Sequence, residues 1–218
     1  MTTRPSHMSS SGREPRNQGV GGDSETLDRA DEATATAEAT PAVMLRQPTR
    51  QDGSVMWRVA RESGVLEENS EYVYNMFCHF FARACVVAEV DGEPAGFIAG
   101  LFPPEQPDTV FVWQIAVDER FRGRRIARLM LAELLRRNGP EIRFLEATVT
   151  PSNEASRNAF EGFARSCGSE CVQSVLFPAQ DFAGPADEDE VLFRIGPIDP
   201  DSEFLRAAEE GGARTFSR

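Results

Sequence analysis

The stretch Val110-Phe-Val-Trp-Gln-Ile-Ala-Val117 constrains this chain more than any other. It is nearly continuously apolar, which predicts a central strand covered on both faces. Asp118-Glu-Arg-Phe121 follows it, then Arg122-Gly-Arg-Arg-Ile-Ala127, and the apolar period changes at once to that of a helix over residues 126–137, where Ile126, Met130 and Leu134 stack with Ala127, Leu131 and Leu135. A covered strand that runs through a short arginine- and glycine-bearing turn into a helix needs a layer above it and a layer below.

The flanking periods supply those layers. Val43 to Arg46 reads as an opening strand. Residues 52–61 and 70–81 have helical spacing, the second with Tyr74, Phe77, Cys78 and Phe81 on one face. Residues 85–90 and 95–102, joined at Asp91-Gly92, predict a hairpin. Residues 142–149 read as a strand, and Pro151-Ser152-Asn153 opens a helix to about Arg165, capped by Ser152 or Asn153. Residues 172–177 and 191–195 close the series as strands. The order is β-α-α-β-β-β-α-β-α-β-β, an α/β fold with a mixed sheet of six to seven strands and helices on both faces.

That domain is expected over 42–196. Residues 1–41 are rich in Ser, Thr, Gly, Ala, Asp and Glu with hardly a large apolar side chain, so they are expected to stay disordered. Residues 197–218, with two prolines, an acidic cluster and Gly211-Gly212, read as an acidic flexible tail.

Charge narrows the function classes. The chain of 218 residues has 35 acidic against 23 basic side chains, a formal charge of -12, and every base is an arginine. An acidic surface of this kind argues against nucleic acid or an anionic membrane as partner. No window approaches the roughly 20 apolar residues of a membrane span, and no apolar region follows the N-terminal arginines as in a secretory signal. A cytoplasmic protein is the expectation. Cys78, Cys85, Cys167 and Cys171 leave disulfides formally open, but a chain this long has little need of them, and no second close pair or nearby histidine completes a zinc site with Cys167 and Cys171. Reduced structural thiols and no metal are expected.

The turn at 118–127 carries the chemistry. Backbone amides at a strand-to-helix turn converge on one point, and the helix dipole favours an anion there. A pyrophosphate fits, with Arg122 or Arg124 nearby; a tight turn bearing solvated arginines is the plainer reading of the same residues.

At these residues the chain resembles the GNAT superfamily of N-acetyltransferases, whose acetyl-CoA loop reads R/Q-x-x-G-x-G/A after the fourth strand. Arg122 and Ala127 match, with Gly123, Arg124 and Ile126 between them, and Arg125 stands at the usual first glycine. The resemblance implies that acetyl-CoA is held by residues 122–127, by the backbone of Ile115, Ala116 and Val117, and near Asn153, which opens a helix running to Phe160-Glu161. Four further segments resemble the diaminobutyrate acetyltransferases within that superfamily: Leu66-Glu-Glu-Asn-Ser-Glu-Tyr-Val-Tyr74, Pro107 to Val117, Thr150-Pro-Ser-Asn153 and Glu188-Asp-Glu190. Those enzymes acetylate the side-chain amine of L-2,4-diaminobutyrate on the route to the osmoprotectant ectoine, and the resemblance further implies a homodimer. Glu67 stands where aspartate is usual, and Asp187 where histidine often precedes Glu-Asp-Glu.

The chemistry implied is direct attack of an amine on a thioester. The amine is cationic at neutral pH, so a carboxylate must attract it and take its proton. Glu190 and Glu67 are the candidates for that role and for substrate binding. Trp113 would wall the pocket and offer a cation–π face, and Tyr72 would orient the substrate through its hydroxyl. Each has a plainer reading: a solvated turn for 188–190, core for Trp113, helix packing for Tyr72 and Tyr74, a capping loop for Glu67 and Asn69. His79 reads as packing or surface. Phe160 occupies the place of a tyrosine that protonates the departing thiolate in many of these enzymes. A different small diamine or amino acid as acceptor, or a CoA-binding regulatory module without turnover, are the alternatives.

Overall fold

A computed structural model describes residues 42–64, 66–67, 69–183, 188–210 and 214–216, with 209–210 and 214–216 described by their backbone. The predicted disorder of 1–41 and the departure at Asp187 lie outside the described residues.

The elements run β1 (Val43–Arg46), α1 (Gly53–Ser63), α2 (Glu71–Phe80), β2 (Val86–Val90), β3 (Glu93–Leu101), β4 (Thr109–Val117), α3 (Ile126–Asn138), β5 (Phe144–Val149), α4 (Glu154–Cys167), β6 (Cys171–Phe177), β7 (Glu190–Ile195), α5 (Glu203–Glu210) and β8 (Arg214–Phe216). One eight-stranded sheet results, in the order β6-β7-β5-β4-β3-β2-β1-β8. The mixed sheet is as expected, and the extra strand comes from the tail, where β8 pairs parallel with β1.

Two apolar clusters divide the faces. Ile126, Met130, Leu131 and Leu134 of α3 and Phe160 and Phe163 of α4 pack with Leu145, Ala147, Phe193 and Ile195 on one side. Met56, Val59 and Ala60 of α1 and Tyr74, Phe77 and Cys78 of α2 pack with Val87, Phe97 and Ala99 on the other. All four cysteines are free. Burial pushes the thiols of Cys78 and Cys167 up to about 12 and that of Cys85 to about 11, which leaves them unreactive packing groups.

The flexible tail is a correction. Ile198 and Leu205 are buried in the first cluster, with Phe204 and Ala208 packed against it. The Phe204 ring meets Phe163 edge-on with centroids 6.0 Å apart. Ala208 lies one helical turn past both Phe204 and Leu205, so α5 has an apolar stripe even though its acidic neighbours make the segment look solvated. The folded domain therefore extends past 196 through α5.

Two irregularities in the middle of the sheet set up the site. Between β3 and β4 the register slips: Ala99 faces Gln114, Gly100 faces Val112, and Trp113 is the extra residue. A Cβ on Gly100 would come within 2.7 Å of the Ala84 and Phe111 carbonyl oxygens, so only glycine fits beside the bulge. The bulge also exchanges faces. Val110 and Val112 belong to the α3–α4 side, but beyond the bulge Ile115 and Val117 take that side and Ala116 turns to α1 and α2. The second irregularity is a parting of strands. β4 and β5 pair in parallel from Thr109 to Val112 against Phe144 to Ala147, and the five residues of β4 past that point leave β5 behind.

Candidate active site

The turn after β4 is built as an anion cradle. Asp118 caps its start, accepting from the Arg120 amide at 2.9 Å, and the Arg120 guanidinium holds the Asp118 carboxyl below its usual range. Gly123 is left-handed at φ 81° and Arg125 at φ 61°, directly before the first residue of α3. The first amides of α3 have no partner within the helix and point out of its N-terminal end, where the dipole favours negative charge. Arg125 thus carries a Cβ in the left-handed region, where glycine is the usual residue. The chain leaves the short turn at 119–121 and must reverse its winding to enter α3, and that reversal falls on residue 125 whatever its side chain.

The arginines divide their tasks. Arg122 folds back, its Nε donating to the Val117 carbonyl and its Nη2 to the Ser63 carbonyl at the end of α1, each at 3.4 Å. Arg124 lies 5.6 Å over the Phe121 ring. Arg125 is exposed and makes no capping bond. Ile126 is buried and anchors the helix, while half-buried Ala127 keeps the cradle free of a larger side chain. Asn153 caps α4, accepting from the Ser156 amide at 3.0 Å just past the end of β5. The backbone of Ile115, Ala116 and Val117 lies on the part of β4 that has left β5.

Trp113 is half-buried on the bulge and stacks on Phe77, with centroids 4.8 Å apart and planes 4° off parallel. Tyr74 lies 6.2 Å from the Trp113 ring and donates its hydroxyl to Gln114 Oε1 at 2.8 Å. Burial pushes the Tyr74 phenol up, against the pull of its contacts to Gln114 and Asn69. Trp57 Nε1 donates to the Asn69 carbonyl at 3.1 Å and Asn69 Nδ2 to that of Glu67 at 3.1 Å, which brings the loop after α1 against this corner. Glu67 itself is exposed on that loop.

Tyr72 is elsewhere. It is 74% exposed and lines a separate depression with Arg50, Gln51, Asn75, Met76, His79 and Phe80. Residues 72 and 74 are two apart on one helix, so they point in nearly opposite directions, and burial of Tyr74 against Trp113 turns Tyr72 outward. The hydroxyl on the Trp113 side of α2 is that of Tyr74, fully buried and bonded to Gln114, whereas the Tyr72 hydroxyl is open to solvent. The i, i+3 spacing of Tyr74 with Phe77 was the available signal.

The acidic run 188–190 separates into three roles. Glu188 Oε2 accepts from the Ser152 amide at 2.7 Å, and Asp189 Oδ1 from the Ala179 amide at 2.8 Å, so both are structural. Glu190 opens β7, half-buried. Leu192 pairs with Thr148 and Arg194 with Glu146, so Glu190, Leu192 and Arg194 share the face of the sheet that also carries Thr148, Glu146 and Trp113. Phe160 is buried 6.4 Å from the Phe193 ring on the opposite face, with no hydroxyl to offer a thiolate. Among the described residues no three His, Cys, Asp or Glu side chains gather as metal ligands would, and no helix is long and apolar enough to cross a membrane.

The model of the acetyltransferase (GNAT) family matches residues 54–164, from α1 through the anion cradle into α4. The chain belongs to the GNAT acetyltransferase family. Within it, the L-2,4-diaminobutyric acid acetyltransferase of Shouchella clausii is 43% identical over 168 residues, 77% of this chain and 94% of that protein. The enzyme of the same description from Marinococcus halophilus is 42% identical over 166 residues, 76% of this chain and 96% of that one. The solved diaminobutyrate acetyltransferase of Paenibacillus lautus, in complex with L-2,4-diaminobutyric acid and coenzyme A, superposes with a TM-score of 0.68 at 38% identity, over 74% of this chain and 99% of that one. The span matched by the family carries the turn at 118–127, the parting of β4 from β5 and the bulge at Trp113.

Proposed function

We infer that this chain transfers the acetyl group of acetyl-CoA to the γ-amine of L-2,4-diaminobutyrate, giving the N4-acetyl product and CoA, a step toward ectoine. The observation that carries the reading is the placement of Glu190 and Trp113 on one face of the sheet beside the parted strands, in a chain of this identity to the diaminobutyrate enzymes. The cradle at 122–127 takes the pyrophosphate, and the gap past Val112 takes the pantetheine arm. Backbone donors near Ile115 polarise the thioester carbonyl, an effect worth a few kcal/mol when preorganised. Glu190 attracts the γ-ammonium and accepts its proton, directly or through water, and Glu67 adds a second negative charge from the loop after α1. The amine nitrogen then bonds to the carbonyl carbon, the carbon–sulfur bond breaks, and the departing thiolate takes up through water the second proton that the acylated nitrogen releases, without an acid from Phe160. The indole of Trp113, fixed by its stack on Phe77, walls the approach.

A homodimer is the assembly we propose, supported by the exposed apolar side chains of the edge strand β6 and the turn after it: Val172, Val175, Leu176, Phe177 and Phe182. Analytical ultracentrifugation checks it. The enzymatic test is product analysis by nuclear magnetic resonance with L-2,4-diaminobutyrate and acetyl-CoA, where the γ-acetyl isomer is expected. Glu190→Gln lowers kcat at least a hundredfold at neutral pH with the fold intact. An α-acetyl product, or a normal rate for Glu190→Gln, overturns the assignment concerned.

A further inference from the structure

The reaction requires the enzyme to choose between two amines, and the open half of the sheet holds a group placed to make that choice. Helices α1 and α2 pack on β3 and β4. The strands β5, β7 and β6 extend beyond them, with Thr148, Leu192 and Arg194 half-buried and Val172 exposed. Arg194 is the single arginine on strands β3 to β7. Its guanidinium is held from three sides. Nη1 donates to Glu146 Oε1 and, at 3.0 Å, to Gln106 Oε1, and the Phe144 ring lies 4.0 Å beneath its central carbon. Glu146 is 8% exposed and Arg194 33%, so the carboxylate is the buried member of the pair and the guanidinium faces outward. Nη1 carries both bonds, which leaves the Nε–Nη2 edge of a rigid, charged fork toward the face.

Resting on the diaminobutyrate reading, we propose that Arg194 binds the α-carboxylate of the acceptor and sets which amine reaches the thioester, with Glu146 and Gln106 as positioning residues. Arg194 and Glu190 are four residues apart on β7, about 13 Å between their Cα atoms. An extended four-carbon diamino acid spans about 5 Å from carboxyl carbon to Nγ, from bonds of about 1.5 Å. A hydrogen bond of about 3 Å at each end brings the total to about 11 Å. With the carboxylate on Arg194, the γ-ammonium reaches the Glu190 level and the α-amine stays behind, near Glu146. The ends of the substrate thus meet charges of opposite sign on one strand.

The test compares L-2,4-diaminobutyrate with its carboxamide, which keeps both amines and loses the negative charge. The unaltered enzyme prefers the acid at least tenfold in kcat/KM. Arg194→Gln abolishes the preference by raising KM for the acid at least tenfold, with the carboxamide within about threefold of its original kcat/KM. Arg194→Lys, which keeps the charge without the fork, restores part of the preference. Equal losses on both substrates, or an unchanged preference, overturn the proposal, as does an unaltered enzyme that treats the two alike. Should the unaltered enzyme fail to acetylate diaminobutyrate at all, the functional reading falls instead.

Discussion

Arg125 is held where L-residues pay most. At φ 61° and ψ 16° it sits in the left-handed region immediately before α3. For a residue with a Cβ that conformation costs roughly 1–2 kcal/mol. Its exposed side chain makes no capping bond to offset the cost. Arg125→Gly removes the strain, and the wider freedom of glycine in the unfolded chain takes back about 0.5–1 kcal/mol. A net gain of about 0.5–1 kcal/mol remains, which for a chain of this size raises Tm by about 1–4 °C. Arg125→Ala keeps the Cβ and hence the strain, so its Tm stays at or below that of the original. Differential scanning calorimetry of the three proteins without ligand is the assay. Because the backbone already follows the left-handed path, the KM for acetyl-CoA shifts by less than about tenfold, or 1.4 kcal/mol, in Arg125→Gly. A glycine variant no more stable than the original refutes the strain argument, and an alanine variant as stable as the glycine one shows that removing a charge, not a Cβ, was responsible. A larger loss of acetyl-CoA affinity makes the guanidinium a phosphate ligand.

Three further outcomes are expected. Trp113→Ala loses the stack on Phe77 and part of the pocket wall; stability falls by about 2–3 kcal/mol, below the full cost for a buried aromatic, and kcat falls at least tenfold, as denaturant titration and steady-state rates report. Leu205→Ala destabilises the domain by about 2–3 kcal/mol because α5 is part of the core, whereas a loose tail would leave the urea midpoint unmoved. Asp52 would be raised by burial, but the Arg46 guanidinium and Thr49 hold it below its ordinary value, and Asp118 is lowered by Arg120. Both carboxyls therefore stabilise the fold above the unfolded pKa near 3.9, and that contribution drains away as pH falls through their lower folded values. Unfolding midpoints of Asp52→Asn measured from pH 6 to pH 2 should converge on those of the original at the acid end; a constant gap contradicts the linkage.

The strand 110–117, the turn after it and the helix beyond are legible because period and composition change abruptly at each boundary. The bulge at Trp113 is not legible for the same reason that the strand is. When both faces are covered, apolar residues occupy every position, and a shift of side leaves no trace in the pattern. Tyr72 and Tyr74 differ only in which flank of α2 meets Trp113, a tertiary choice. Glu188 and Asp189 look like solvated neighbours of Glu190 in sequence, and only their bonds to the Ser152 and Ala179 amides separate them from it. The tail reads as acidic because its apolar stripe is three residues on a helix of eight.

The parting of β4 from β5 gives the middle of this sheet a property that belongs to edges. Past Val112 the β4 backbone is bonded to β3 on one flank, while on the other its amide groups face the cofactor gap. Hydrogen–deuterium exchange in the empty enzyme should therefore be fast at alternate amides from Trp113 to Val117, amid slow neighbours in β3 and β5. Acetyl-CoA, laid along that flank as a surrogate strand, would slow those same amides. Their exchange thus becomes a residue-by-residue gauge of cofactor occupancy, independent of whether any acceptor is turned over.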